Sequence, residues 1–319
     1  MNTKEIAKIC KFLVALFASV LLIDFCVGLI FDSLLAKLPC EGERVAKSNF
    51  VLTKVNSDIV IIGSSRAECH YDSKIIQDSM QSKTVFNCGV DGQLFFYEVA
   101  VLNSILDRYT PDLIIWDIQN DELKKSDQPE NLGLLYPYYH NNEGVHQYLD
   151  EREPKLKYMI WLNAYRFNAT GSRILRSLNL HDSNRFGFIG KQSSDDTRII
   201  KHRIVQQKVS TLDNDKIELF KKAIERAKTQ GAQLVIVQSP YYYKFEGESS
   251  TNKAVRKICM GNGVRFIDDS QLPEFVGNNE LIYDAGHLKN EGARRFTQIL
   301  LEQLRDGGDG FGKALKISK

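Results

Sequence analysis

The chain carries no excess of either charge. Its 42 Lys and Arg stand against 40 Asp and Glu, a formal net charge of +2 with a pI near 8.1. Composition therefore makes no case for nucleic-acid binding. Cysteine is sparse and unpatterned: Cys10, Cys26, Cys40, Cys69, Cys88 and Cys259 form no CxxC pair and no zinc-type spacing. His70, His140, His146, His181 and His202 also lack metal-ligand spacing, so neither a metal nor any other cofactor is expected. Internal repeats and low-complexity tracts are missing as well. What remains is a chain of 319 residues with the apolar and charged fractions of an ordinary globular protein.

One long hydrophobic run breaks that ordinariness. Phe12 to Phe31 reads FLVALFASVLLIDFCVGLIF, with Asp24 its single charge. This is about the length, roughly 20 residues, that a helix needs to cross a bilayer. Lys4, Lys8 and Lys11 precede it, which by the positive-inside rule puts the N-terminus in the cytoplasm. A cleaved signal peptide competes, but its apolar core is usually shorter and no clear A-x-A site follows. We expect a single-pass anchor in the cell membrane, with everything after about Ser33 outside the cytoplasm. Asp24 is costly in lipid and is expected to seek a polar partner, such as a helix of a multi-pass membrane protein.

Past the anchor, residues 33–56 are mixed and polar and read as a linker. Then strands and helices alternate. Strands are expected at 58–62, 84–87, 113–116, 234–237 and 264–268. Helices are expected over 66–80, 94–109, 216–229, 251–260 and 289–305. That alternation predicts an α/β domain at 57–306, its parallel sheet of about five strands covered on both faces. From 122 to 214 the pattern lapses into a Tyr-, Asn- and Arg-rich insertion, too long for a structureless loop and expected to form a lid or subdomain. The segment 307–319 reads as a mobile tail.

The organising stretch is Asp58-Ile59-Val60-Ile61-Ile62-Gly63-Ser64-Ser65-Arg66-Ala67. A buried strand that turns at Gly63 into a helix lifts the next side chains to the C-terminal edge of the sheet, where open α/β sheets bind ligands. Ser64 and Ser65 there either cap the helix or, with a base in reach, supply a nucleophile. Tyr283-Asp284-Ala285-Gly286-His287 offers such a base: a carboxylate three residues before an imidazole can orient it and leave its other nitrogen free. Asn87-Cys88-Gly89-Val90-Asp91-Gly92 is a loop after the second strand, where Gly92 lets a backbone amide approach a ligand. In Trp116-Asp117-Ile118-Gln119-Asn120-Asp121, after the third strand, Asn120 can aim its amide at an oxyanion or make a turn. The tyrosine clusters at 136–139 and 241–243 can stack on sugar rings or simply pack.

In order and placement these four blocks resemble the SGNH (GDSL-like) hydrolase superfamily. The resemblance covers roughly residues 57–121 and 232–305. It implies a three-layer, flavodoxin-like fold and a Ser-His-Asp mechanism. Ser65 is then the nucleophile, with Asp284 and His287 completing the triad. The oxyanion hole falls to the Ser65 and Gly92 amides and the Asn120 side chain. Two departures stand out: Ser64 occupies the place of the usual Asp, and Gln119 that of a glycine. With the anchor, they make the chain more similar to membrane-anchored envelope-acylation proteins, such as the teichoic acid D-alanyl transfer protein and the alginate acetylation proteins. That similarity implies an esterase or O-acyltransferase acting on acylated envelope polysaccharide beside a multi-pass membrane acyltransferase. The alternative it leaves open is a catalytically silent member that binds glycan or scaffolds a membrane complex.

Overall fold

A computed structural model describes residues 2–80, 83–181, 185–192 and 203–306; the tail expected at 307–319 lies outside them. Five short apolar runs build the central sheet: β1 (Ile59–Ile62), β2 (Val85–Asn87), β3 (Leu113–Asp117), β5 (Gln233–Gln238) and β7 (Arg265–Asp268). All pair in parallel, in the order β2-β1-β3-β5-β7. Counted among themselves this is 2-1-3-4-5, the flavodoxin-like doubly wound order. The α/β expectation, with its parallel sheet of five strands, is met. β4 (Ile204–Gln206) pairs with β6 (Lys244–Glu246), and β8 (Ile282–Asp284) with β9 (His287–Leu288), in small ladders outside this sheet.

Side chains alternate across a strand with period two, and here both faces are buried. Val60, Ile62, Ile114, Trp116, Leu234 and Ile236 belong to one core; Ile59, Ile61, Leu113, Ile115, Val235 and Val237 belong to the other. The first core is covered by α2 (Arg44–Thr53), α5 (Phe95–Arg108), α9 (Asn214–Thr229) and α10 (Ser250–Asn262). The second is covered by α3 (Ser65–His70), α4 (Ser73–Ser79) and α11 (Asn290–Asp306). The single helix expected over 66–80 is two, because Tyr71 is extended and Asp72 caps the second with its side chain on the Lys74 amide.

Residues 33–56 are not a linker. Within them α2 is largely buried, and Lys47, wholly enclosed, donates from Nζ to Glu68 of α3 at 3.2 Å and to the Gly187 carbonyl at 2.6 Å. The polar composition that suggested a linker belongs instead to buried groups with partners.

α1 (Thr3–Ala36) is a single helix of 34 residues, long and apolar enough to cross a membrane. Its last third rests on the insertion, whose helices are α6 (Glu143–Arg152), α7 (Asn163–Arg166) and α8 (Gly171–Ser177). Phe31 stacks on Phe167 at 5.1 Å, and Arg166 donates to Asp32 at 2.6 Å. Asp24 finds its partner within its own chain. Its carboxylate accepts from the Asn163 and Ala164 amides at 2.9 and 2.8 Å and from the Asn163 side chain at 3.2 Å. The need for a partner helix at Asp24 therefore disappears: free amides at the start of α7 satisfy it. The tyrosines at 136–139 pack rather than line an opening: Tyr138 and Tyr139 are buried and Tyr136 stacks on Tyr165.

Candidate active site

The site forms where β1, β3 and β5 end. Gly63 turns the chain at φ +150°, and a Cβ there would lie 2.7 Å from the Ala67 Cβ and 3.1 Å from the Asp117 carbonyl oxygen. Only glycine fits, so the strand runs directly into the Ser64–Ser65 turn. Gly63→Ala is expected to cost about 1–3 kcal/mol from backbone strain and overpacking. Urea unfolding checks this; an unchanged midpoint would mean that the turn tolerates the methyl group.

The turn gives its two serines different surroundings. Ser64 is buried; its Oγ caps α3 on the Arg66 amide at 3.4 Å and accepts from Gln119 Nε2 at 2.9 Å. Ser65 is half-buried, and its Oγ lies 2.9 Å from His287 Nε2. Across the ring, His287 Nδ1 is 2.8 Å from both Asp284 oxygens. Asp284 Oδ1 also accepts from the Gly286 and His287 amides, at 2.8 and 2.9 Å, which closes the loop between β8 and β9 around its carboxylate. Partial burial alone would raise that carboxyl; the hydrogen bonds from His287 and from the Gly286 amide outweigh it and hold it below the ordinary value of 3.8. An ionised Asp284 accepts the proton of Nδ1–H, which leaves Nε2 as an acceptor facing the Ser65 hydroxyl.

Arg66 holds the two halves of this arrangement together. Its buried guanidinium donates to the Gly286 carbonyl at 2.7 Å, to the Ser239 carbonyl and hydroxyl at 2.7 and 2.9 Å, and to the Pro240 carbonyl at 3.0 Å. It lies 3.6 Å above the Tyr241 ring and 3.9 Å from the Asp117 carboxylate. Asp117 accepts from Tyr71 at 2.6 Å and from the Ser239 amide at 3.0 Å, although burial still lifts its carboxyl above the usual range.

His70 fastens the loop from the other side. The Leu288 amide donates to its Nε2 at 3.1 Å, so its proton sits on Nδ1 and is donated to Ser239 Oγ at 2.9 Å. Complete burial, reinforced by Arg66 and His287, keeps this imidazole well below its ordinary range and therefore neutral.

The oxyanion candidates fare unevenly. Gly92 adopts φ +72°, and a Cβ on it would lie 2.8 Å from Arg44, so it packs beside α2. Gly89 is the glycine pressed against α3, where a Cβ would come 2.6 Å from the Glu68 amide nitrogen. Asn120 is anchored by its backbone, donating to Tyr241 Oη at 3.0 Å, while the neighbouring Gln119 reaches into the serine turn. Gln119, Asn120 and Tyr241 also line a cleft of about 870 Å³ beside the turn, with Lys124, Lys125 and Phe245 among its other walls. Arg66, His70, Ser239 and Gln119 were missed by sequence reasoning. Two of them left a signal there: Gln119 as a departure from the family pattern, and Arg66 as a charge directly after the candidate nucleophile in a stretch otherwise bound for the interior. Among the described residues no cluster of metal-ligating side chains occurs, and the cysteines there are free.

No family model and no curated protein matches the chain. Among solved structures, it is similar to a psychrotrophic esterase, EstA, from Pseudoalteromonas sp. (TM-score 0.42, 9% identity, covering 78% of this chain and 97% of that one). It is also similar to a lipase/acylhydrolase from Enterococcus faecalis (TM-score 0.39, 11% identity, covering 82% of this chain and 98% of that one). Likenesses this distant carry neither family nor activity.

Proposed function

We propose that the chain is a membrane-anchored serine esterase or O-acyltransferase of SGNH type, with Ser65, His287 and Asp284 as its triad, acting on acylated envelope polysaccharide. The observation that carries this reading is the unbroken relay from Ser65 Oγ to His287 Nε2 at 2.9 Å and from Nδ1 to Asp284 at 2.8 Å. A silent scaffold needs no such alignment, and a base must lie within about 3.2 Å of the proton it takes.

The chemistry follows from the atoms. Ser65 Oγ attacks the ester carbonyl carbon while its proton passes to His287 Nε2. The negative oxygen of the tetrahedral species is held by the Ser65 amide and a side-chain amide of the block after β3. Asn120 fills that role by family resemblance and Gln119 by its reach towards the turn; Gly92 is the second backbone donor by resemblance. Collapse breaks the bond to the alcohol oxygen, which leaves with the proton from His287, and the acyl group stays on Ser65. Water then yields the free acid, whereas a sugar hydroxyl yields a new ester. Outside the cytoplasm acyl-CoA is absent, so transfer requires an acyl group delivered through the membrane, the task of a multi-pass acyltransferase partner. The cleft lined by Gln119, Asn120, Lys124, Lys125 and Tyr241 offers polar side chains and an aromatic ring for a glycan chain.

A fluorophosphonate probe applied to the detergent-solubilised full chain is expected to label Ser65. Ser65→Ala should abolish the label; labelling that persists, or that maps to Ser64, would overturn the choice of nucleophile. Glycan analysis of the native host then separates the two reactions. Loss of acylation in Ser65→Ala indicates transfer, excess acylation indicates hydrolysis, and no change in any envelope polymer counts against both.

A further inference from the structure

We propose that the turn at residues 158–162 of the insertion is a membrane-seated surface, immersed in the lipid leaflet on the same side as the catalytic domain. The inference rests on the reading that α1 crosses the membrane. It starts from Asp24. The apolar run of α1 ends at Phe31, and Phe25, Leu29 and Ile30 remain exposed at 58%, 57% and 56%, so the apolar surroundings extend to that level. At 1.5 Å per residue Asp24 lies about 10 Å deeper than Phe31. The amides that cap its carboxylate, those of Asn163 and Ala164, must lie at the same depth.

The residues leading to that cap have the composition such a position requires. Tyr158, Met159, Trp161 and Leu162 are exposed at 77%, 40%, 74% and 48%, while Ile160 between them is wholly buried and pins the turn to the domain. Four large apolar side chains presented together are unusual on a surface bathed in water. Trp and Tyr are the residues enriched at the membrane–water boundary. Lys155 and Lys157, both exposed, flank the turn and can reach headgroups along their aliphatic stems. Interfacial segments bury their apolar face about 5–10 Å, which agrees with the depth set by Asp24. The bonds from Asn163 to Asp24 bring the end of the turn against α1 where Leu22, Ile23 and Phe25 are exposed, which favours lipid as its occupant over a second protein.

Two measurements on the full chain reconstituted in phospholipid vesicles test this. Resistance to alkaline carbonate extraction reports on α1. Quenching by brominated phospholipid reports on Trp161, taken as the emission of the wild type minus that of Trp161→Phe; the other tryptophan, Trp116, is wholly buried. The expected result is a carbonate-resistant chain whose Trp161 emission is blue-shifted and mostly lost to brominated lipid. A carbonate-resistant chain whose Trp161 emits as in water, and is quenched only by aqueous acrylamide, overturns the proposal and leaves the anchor standing. That outcome would mark the turn as a protein-docking face instead. Release by carbonate removes the anchor reading and this proposal together.

Discussion

Replacing His287 with alanine is expected to lower ester turnover by roughly 10⁶-fold, and replacing Ser65 in the same chain to lower it no further. The hydroxyl and imidazole act through one shared proton at 2.9 Å, so losing either leaves the other with nothing to do. Asp284→Asn is expected to cost less, about 10⁴-fold, because the imidazole stays in place while its tautomer is lost. An asparagine amide can donate to Nδ1, which moves the ring proton to Nε2 and points it at Ser65. The test compares kcat for single and double variants on an acetyl ester. Multiplying losses would mean that Ser65 and His287 work separately, and turnover that survives His287→Ala would end the proposed mechanism.

The same carboxylate sets a pH limit on the loop. Its folded value is depressed, so its contribution to stability is present above the ordinary carboxyl value of 3.8 and is lost as the pH falls through the lower folded one. The β8–β9 loop should accordingly keep its shape through the mildly acidic range and release His287 only in strong acid.

How much of this could be read from the chain depends on the range of the interaction. The three inner strands, β1, β3 and β5, were legible because each is a short run rich in β-branched residues and buried on both faces, while the edge strands β2 and β7 showed through their place in the alternation with helices. Ser65, Asp284 and His287 were legible as local patterns beside strand ends, where topology gathers side chains. The β4–β6 pairing was not, since Ile204–Gln206 and Lys244–Glu246 are exposed or half-exposed and carry no buried stripe. Nor was α2, whose polar residues are explained only by partners such as Glu68 and Leu35, the latter accepting from Asn49 at 2.9 Å. On the oxyanion side the family pattern pointed to Asn120, and nothing in the local sequence showed that its neighbour Gln119 would donate to Ser64 Oγ in the serine turn. The backbone of that loop is held by the Tyr241 hydroxyl, which accepts from the Asn120 amide and lies 121 residues away in sequence.

Arg66→Met is expected to unfold more easily by about 3–5 kcal/mol, the cost of removing one side of a buried, hydrogen-bonded charge pair. The methionine fills much of the space but donates nothing. The carbonyls of Ser239, Pro240 and Gly286 lose their shared donor, and Asp117 loses the cation beside it. These acceptors belong to three separate segments, so the site should loosen as a set. The Gly286 carbonyl matters most for chemistry, because it lies between the carboxylate and the imidazole of the relay. Once freed, the loop holds His287 by its bonds to Asp284 and by the Leu288 amide on His70, and neither sets its distance from Ser65. A shift of about 1 Å can cost 10²-fold in rate, so kcat should fall with KM little changed. Arg66→Lys should recover part of the stability, as a compact charge beside Asp117, but little of kcat, because it cannot span acceptors on both sides of the site. Thermal melts and kcat and KM for the three proteins decide between the roles. If kcat follows stability alone in both variants, Arg66 is a structural cation; if kcat stays low where Lys has restored the melt, it positions the base.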